Sequence, residues 1–299
     1  MDSTLKPSFA FSHHIPILLA SFLLLFPPFA KTSSLYNSLV YSKCANQTLT
    51  ASTESHSQIL SSLFQEFSLQ SSHSKFFKTT AGDDNIGISG LFQCRGDLGN
   101  DECYNCVNTL PKVSNNMCKQ AFAARVQLNG CYFHYETDGF DDDDDSTPKH
   151  ELLHETCSEK KAGDGGFIEV RDAAFIAMES EGVNDKGFYE ADYEHMHVMA
   201  QCEGDLWGCD CSECVGIAVE IAQKDCGSSV SGQVYLDKCF LSYAYNSKGK
   251  PGNSYPEEEK NGNNAGKTVA IVMGAAAAVT AGFMLLKLMK SRCNKNDDI

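Results

Sequence analysis

The sequence predicts an α+β protein made of two tandem, disulfide-braced copies of one domain, followed by a single membrane-crossing helix. Three observations carry this. The first is a cysteine ladder, Cys94, Cys103, Cys106, Cys118 and Cys131, which recurs as Cys202, Cys211, Cys214, Cys226 and Cys239 with every interval unchanged and a constant offset of 108 residues. Four intervals repeated without error mark an internal repeat. Cys44 and Cys157 stand upstream of the two ladders and bring each copy to six cysteines. The second is the apolar run Ile15–Phe29, preceded by Lys6, His13 and His14 and closed by small residues before Lys31, which reads as a secretory signal peptide over 1–30. The third is the run 268–286, nineteen residues without a charge and long enough to span hydrocarbon.

The signal peptide decides what the ladder is for. Cys103 and Cys106 form a C-x2-C knuckle that suits zinc, but six cysteines per copy in an oxidising compartment favour disulfides. Six cysteines alone leave fifteen pairings open. The formal net charge of −15 argues against nucleic acid, whose phosphates it would repel, and suits a solvated extracellular surface.

In chain order, "YSKCANQT" opens the first copy as an extended segment and carries the sequon Asn46-Gln47-Thr48, a glycosylation site. Residues 56–70 set Ile59, Leu60, Leu63, Phe64 and Phe67 on one helical face, which is a core stripe. Residues 74–80 and 86–94 read as strands punctuated by Gly87, Gly90 and Gly96. A second helix runs between Cys103 and Cys118, where Pro111 should shorten or kink it. Its counterpart at 214–226 has no proline and an apolar face of Val215, Ala218, Val219 and Ala222. Segments 121–128 and 131–137 alternate apolar and polar residues as a closing hairpin.

The domains therefore span 36–138 and 151–246, joined by the aspartate-rich 139–150. That segment has no glycine-punctuated calcium-loop spacing and reads as a linker extended by its own charge. In the second copy, 167–179 takes the place of the first helix. His195 and His197 fall on one face of a strand as surface histidines, and Cys209 has no counterpart, Asp101 standing at its place, so it is the odd thiol, read as free and partly buried, with redox chemistry or intermolecular pairing through the Cys-x-Cys with Cys211 as the alternative. Residues 247–267 form a polar stalk. Lys287, Lys290, Arg292 and Lys295 then place the short tail 287–299 in the cytosol, giving a type I single-pass topology, and Cys293 is a weak candidate for palmitoylation. Within the span, Ala270, Gly274, Ala278 and Gly282 recur every four residues as a small-residue ridge suited to helix–helix association.

The ladder spacing, with "CANQ" at 44–47, "FQCRGDL" at 92–98 and "AARVQLNGCY" at 123–132, resembles the plant cysteine-rich domain related to ginkbilobin, an antifungal seed protein. Two such domains, one membrane helix and a very short tail resemble the plasmodesmata-located proteins. The resemblance implies a five-stranded antiparallel sheet with two helices on one face. It also implies the pairings Cys44–Cys118, Cys94–Cys103, Cys106–Cys131, Cys157–Cys226, Cys202–Cys211 and Cys214–Cys239.

No nucleophile elbow, phosphate-cradling glycine loop or HExxH is present, so an enzyme is not expected, and neither a cofactor nor a metal is called for. The antifungal relative implies a mannose triad of Asn, Arg and Glu. Arg125 and Glu136 match two of its places in the first copy, but Ala45 replaces the Asn, and the second copy has Ser158, Gln233 and Ala244. Arg125 and Glu136 read better as a hairpin ion pair, with a cell-surface mannose-type lectin or an antifungal-like glycan-binding protein as the alternative function. The resemblance implies instead a wall-facing interaction protein of the plasma membrane at plasmodesmata. It would regulate cell-to-cell transport, including callose-linked closure, and serve viral movement proteins as a docking factor. Expected partners are plasmodesmal or cell-wall proteins and further copies, held through the membrane helix and the ectodomains.

Overall fold

A computed structural model describes residues 36–46, 54–82, 87–119, 121–137, 150–163, 166–182 and 187–246. The signal peptide, the acidic linker apart from His150, the stalk, the membrane span with its ridge and the tail lie outside the described residues.

The first copy runs β1 (Leu39–Cys44), α1 (Glu54–Ser71), β2 (Phe76–Gly82), β3 (Gly87–Cys94), α2 (Asn100–Cys118), β4 (Ala124–Leu128) and β5 (Cys131–Glu136). The second runs β6 (Leu152–Cys157), α3 (Phe167–Glu181), β7 (Phe188–Tyr193), β8 (Met196–Cys202), α4 (Gly208–Ile221), β9 (Ser231–Leu236) and β10 (Cys239–Tyr245), with a π turn over Ala222–Cys226 continuing α4. The strands form two five-stranded antiparallel sheets of identical order, β1-β4-β5-β3-β2 and β6-β9-β10-β8-β7.

Each sheet covers one face with its two helices. Leu60, Leu63 and Phe67 of α1 join Val107 and Leu110 of α2 and the strand residues Val126, Phe133 and Tyr135 in one buried core. The stripe read from the sequence is thus the inner face of α1. In the second copy Phe175 and Met178 of α3 meet Val215 and Ala218 of α4 over Val198, Val234 and Leu241.

The disulfides bind the second helix of each copy, together with its π turn in the second copy, to three strands. Cys103 of α2 bonds Cys94 at the end of β3, Cys106 bonds Cys131 of β5, and Cys118 bonds Cys44 of β1. The second copy repeats this with Cys211–Cys202, Cys214–Cys239 and Cys226–Cys157. This stapling explains why Pro111 does not shorten α2, which runs unbroken from Asn100 to Cys118. A mid-helix proline costs about 3 kcal/mol, and here both sides of it are covalently anchored.

Three further readings are corrected. β4 is not half-exposed; all five of its residues are buried, because its second face lies against the other domain. His195 sits in the turn between β7 and β8, edge-to-face with Tyr245, while only His197 is on the strand, 2.9 Å from Asp192. Cys209 is exposed rather than partly buried, and is disulfide-bonded rather than a free thiol.

Candidate functional site

The face of each sheet that carries no helix is turned to the other domain, and the two residues of the sugar triad lie on the first domain's version of that face. The seam is organised by a glutamine from each copy, Gln93 at the end of β3 and Gln201 at the same place in β8. Gln93 donates from Nε2 to the Cys202 carbonyl at 2.9 Å and accepts from the Gly204 N–H at 3.0 Å. Gln201 mirrors it, donating to the Cys94 carbonyl at 3.1 Å and accepting from the Gly96 N–H at 3.0 Å. An amide both donates and accepts, so one side chain satisfies two backbone groups of the opposite turn. Glycine is needed at both turns. A Cβ at Gly96 would fall 2.2 Å from the ring of Phe188, and one at Gly204 would fall 2.3 Å from the ring of Phe76.

Beside the glutamine pair runs a polar relay. Arg125, 7% exposed, donates from Nη1 to Asp237 Oδ1 and from Nη2 to the Asp237 carbonyl, both at 2.9 Å. Its guanidinium lies 4.4 Å from the centroid of Tyr132. The Tyr132 hydroxyl donates to Glu203 Oε2 at 2.5 Å, and Lys238 donates to Glu203 Oε1 at 2.8 Å. Tyr41 of β1 stacks on His154 of β6 with ring centroids 5.2 Å apart. At the margins, Lys78 pairs with Asp205 at 3.1 Å and Lys43 with Glu151 at 3.0 Å.

Burial dominates the electrostatics. It raises the Glu203 carboxyl above its ordinary value, against the opposing pull of Lys238 and Arg125. It raises the Tyr132 phenol strongly, with Glu203 pushing the same way, so the hydroxyl remains a donor. For Arg125, burial would weaken the cation, but Tyr41, Tyr132, Asp237 and Glu203 outweigh it and the guanidinium stays charged. His134 is held neutral down to about 3 by burial and by the positive charges of Arg125, Lys238 and Lys78. Its contact with Glu136, at 3.7 Å, is therefore not an ion pair near neutral pH.

The anticipated Arg125–Glu136 hairpin pair gives way to a contact across the domains. Arg125 stands opposite His134 in the β4–β5 register, but its guanidinium reaches Asp237. The seam leaves a cavity of only about 30 Å³ between Gln93, Arg125, Tyr132, Gln201, Glu203 and Phe240. That is room for water rather than for a sugar ring. Ala45 and Asn46 follow β1 in exposed positions, so the sequon asparagine is open to solvent. In the second copy Ser158 follows β6, Gln233 lies on β9 and Ala244 on β10. Among the described residues, no three His, Cys, Asp or Glu side chains gather as metal ligands. Sequence reasoning missed Gln93, Gln201, Glu203 and Asp237. One signal was present, a lone glutamine before the same cysteine in two otherwise apolar strands, "GLFQC" and "VMAQC".

The salt stress response/antifungal family matches residues 43–138 and 155–246. Plasmodesmata-located protein 2 of Arabidopsis thaliana is 41% identical over 281 residues, spanning 88% of this chain and 90% of the relative. Plasmodesmata-located protein 1 of the same plant is 39% identical, over 88% of this chain and 91% of the relative. The crystal structure of the tandem DUF26 ectodomain of the Arabidopsis cysteine-rich receptor-like protein PDLP8 superposes with a TM-score of 0.62 at 26% identity, covering 70% of this chain and 98% of that one.

Proposed function

The chain belongs to the plasmodesmata-located protein family, and from that premise we propose that it is a membrane-anchored, wall-facing interaction protein at plasmodesmata. It regulates cell-to-cell transport by recruiting partners rather than by catalysis, with callose deposition and the docking of viral movement proteins among the outcomes. Its 41% identity to a plasmodesmata-located relative over 281 residues carries this reading. The locked seam supports it as well. Two domains joined through paired glutamines and a buried relay present their surfaces to a partner at a defined angle, which lowers the ordering cost of binding. In this reading the span 268–286 anchors the protein with its tail in the cytosol, the ridge Ala270, Gly274, Ala278 and Gly282 brings copies together, and Asn46 carries a glycan.

A lectin acting through Arg125 and Glu136 has less support, because the guanidinium is taken up by Asp237. Imaging a tagged full-length protein in plant epidermis tests the proposal. Puncta across shared walls are expected, while uniform labelling of the cell surface would overturn it.

A further inference from the structure

We propose that the open groove between α1 and α2 of the first domain is a binding site for an uncharged oligosaccharide, a segment of a neutral polysaccharide. The groove offers about 620 Å³, open to solvent, on the helical face, on the far side of the sheet from the seam. That volume falls within the range of about 300–1,000 Å³ typical of small-molecule sites. Its apolar floor is Leu60, Phe64 and Pro111, and Leu69 stands at one end, 70% exposed and more open than any other large apolar side chain among the described residues.

The walls define the ligand's chemistry. Ser57, Ser61, Gln65 and Ser68 come from α1, and Asn108 and Asn115 from α2. None of the described residues lining the groove is ionisable, in a chain with 24 basic and 39 acidic side chains. A charged ligand would lose hydration there and gain no counter-ion. Hydroxyls and amides both donate and accept, which matches sugar hydroxyls arranged around a ring. Asn108 spends one N–H on the Tyr104 carbonyl, at 2.8 Å, and keeps its other N–H and its oxygen. Phe64 packs on Phe133 and Tyr135 toward the core and is half-buried, so part of its ring and the Pro111 ring remain to meet the C–H face of a sugar.

Composition favours this occupant over a protein. Six of the ten lining residues are Ser, Asn or Gln, whereas protein interface cores are enriched in aromatics, Met and Arg and depleted in Ser. The site is preorganised, because three disulfides hold α2 to the sheet. Among the described residues the second copy does not repeat it. The ladder offset places Gly216, Val219 and Gln223 where the first copy has Asn108, Pro111 and Asn115. Val219 is buried and Gln223 is bonded to Asp172 at 3.1 Å. The proposed site shares no residue with the Arg125 seam and does not depend on where the protein resides.

The test is calorimetric titration of the purified full chain with β-1,3-linked glucohexaose, β-1,4-linked glucohexaose and β-1,4-linked mannohexaose, with hexagalacturonate as the charged comparator. Saturable binding of at least one neutral hexasaccharide is expected. The double variant Asn108→Ala, Asn115→Ala should weaken it about tenfold. Ser61→Glu should abolish it, and Gln223→Ala should leave it unchanged. Peptide mapping of the disulfides establishes that each variant is folded; all three side chains altered in the groove are exposed. Failure of every neutral sugar to bind would overturn the proposal, as would binding that survives both groove variants or equal affinity for hexagalacturonate. Ser61→Glu that breaks self-association without any sugar binding would also overturn it, making a second copy the occupant.

Discussion

In the first domain α2 lies beside α1 along a groove open to solvent. In the second, Ala174 and Met178 of α3 and Ala218 and Val219 of α4 are buried in one core. The Glu179 carboxylate of α3 reaches across to α4, since a Cβ at Gly216 would sit 3.6 Å from Glu179 Oε1. Burial and the neighbouring Glu220 raise Glu179 to about 7. The first copy has a neutral groove along its helix pair where the second has the acidic pair Glu179 and Glu220, yet both carry the same three staples and the same strand order. Once disulfides hold a helix to its sheet, the residues along the helix–helix contact can differ between the copies without changing the fold. The helix surface is then free to take on a different task in each copy.

The largest effects should be equal between the copies. Cys44 and Cys118 are 74 residues apart, and Cys157 and Cys226 are 69 apart. Replacing either pair with alanine should cost about 4 kcal/mol in chemical denaturation. A loss confined to one copy would mean that the cages are not equivalent.

Next comes an asymmetric pair at one ladder position. Arg125→Ala removes two hydrogen bonds between the domains and a cation facing buried Glu203, and should destabilise by about 3 kcal/mol. Gln233→Ala, at the matching place in β9, should cost less than about 1 kcal/mol. Similar shifts in urea midpoint for the two would contradict the buried relay.

Smaller and again symmetric, Gln93→Ala and Gln201→Ala should each cost about 2 kcal/mol, since each orphans two backbone groups in the seam. Their double variant should fall short of the sum if the clamp acts as one unit, and strict additivity would sink that idea.

The smallest effect is a pH dependence that belongs to the second copy. Glu179 has a folded value near 7 against an ordinary 4.5, so the folded state binds its proton more tightly. Its stabilising contribution is complete below about 4.5 and is lost as pH rises to about 7. Glu179→Gln should flatten that decline. His134 slopes the other way, because its folded value near 3 lies below the ordinary 6.5 and its contribution disappears as pH falls between them. The readout is therefore the difference between variant and parent urea midpoints at pH 5, 6, 7 and 8, and a flat difference would rule out Glu179 as the source.

Much of the architecture was legible in the residues. The repeated spacing implied two copies, and the 3.6-residue stripe of Ile59, Leu60, Leu63, Phe64 and Phe67 marked the buried side of α1. Both are local signals, because cysteine intervals and helical periodicity depend on neighbours in the chain. What the empty sheet faces do is not local. Arg125 and Asp237 are 112 residues apart, and Gln201 and Gly96 are 105 apart. Nothing in either segment says that the two sheets meet. A strand covered on one face and a strand covered on both differ only in what lies opposite, so the all-buried β4 read as half-exposed. Pro111 signalled a break in α2 because propensity weighs the helix alone, whereas in the folded chain Cys103, Cys106 and Cys118 hold both sides of it to the sheet. The sequence by itself determined the copies, their elements and the cysteine set. Only tertiary structure decided that Arg125 joins two domains and that a neutral groove opens on one of them, because both depend on surfaces brought together from distant parts of the chain.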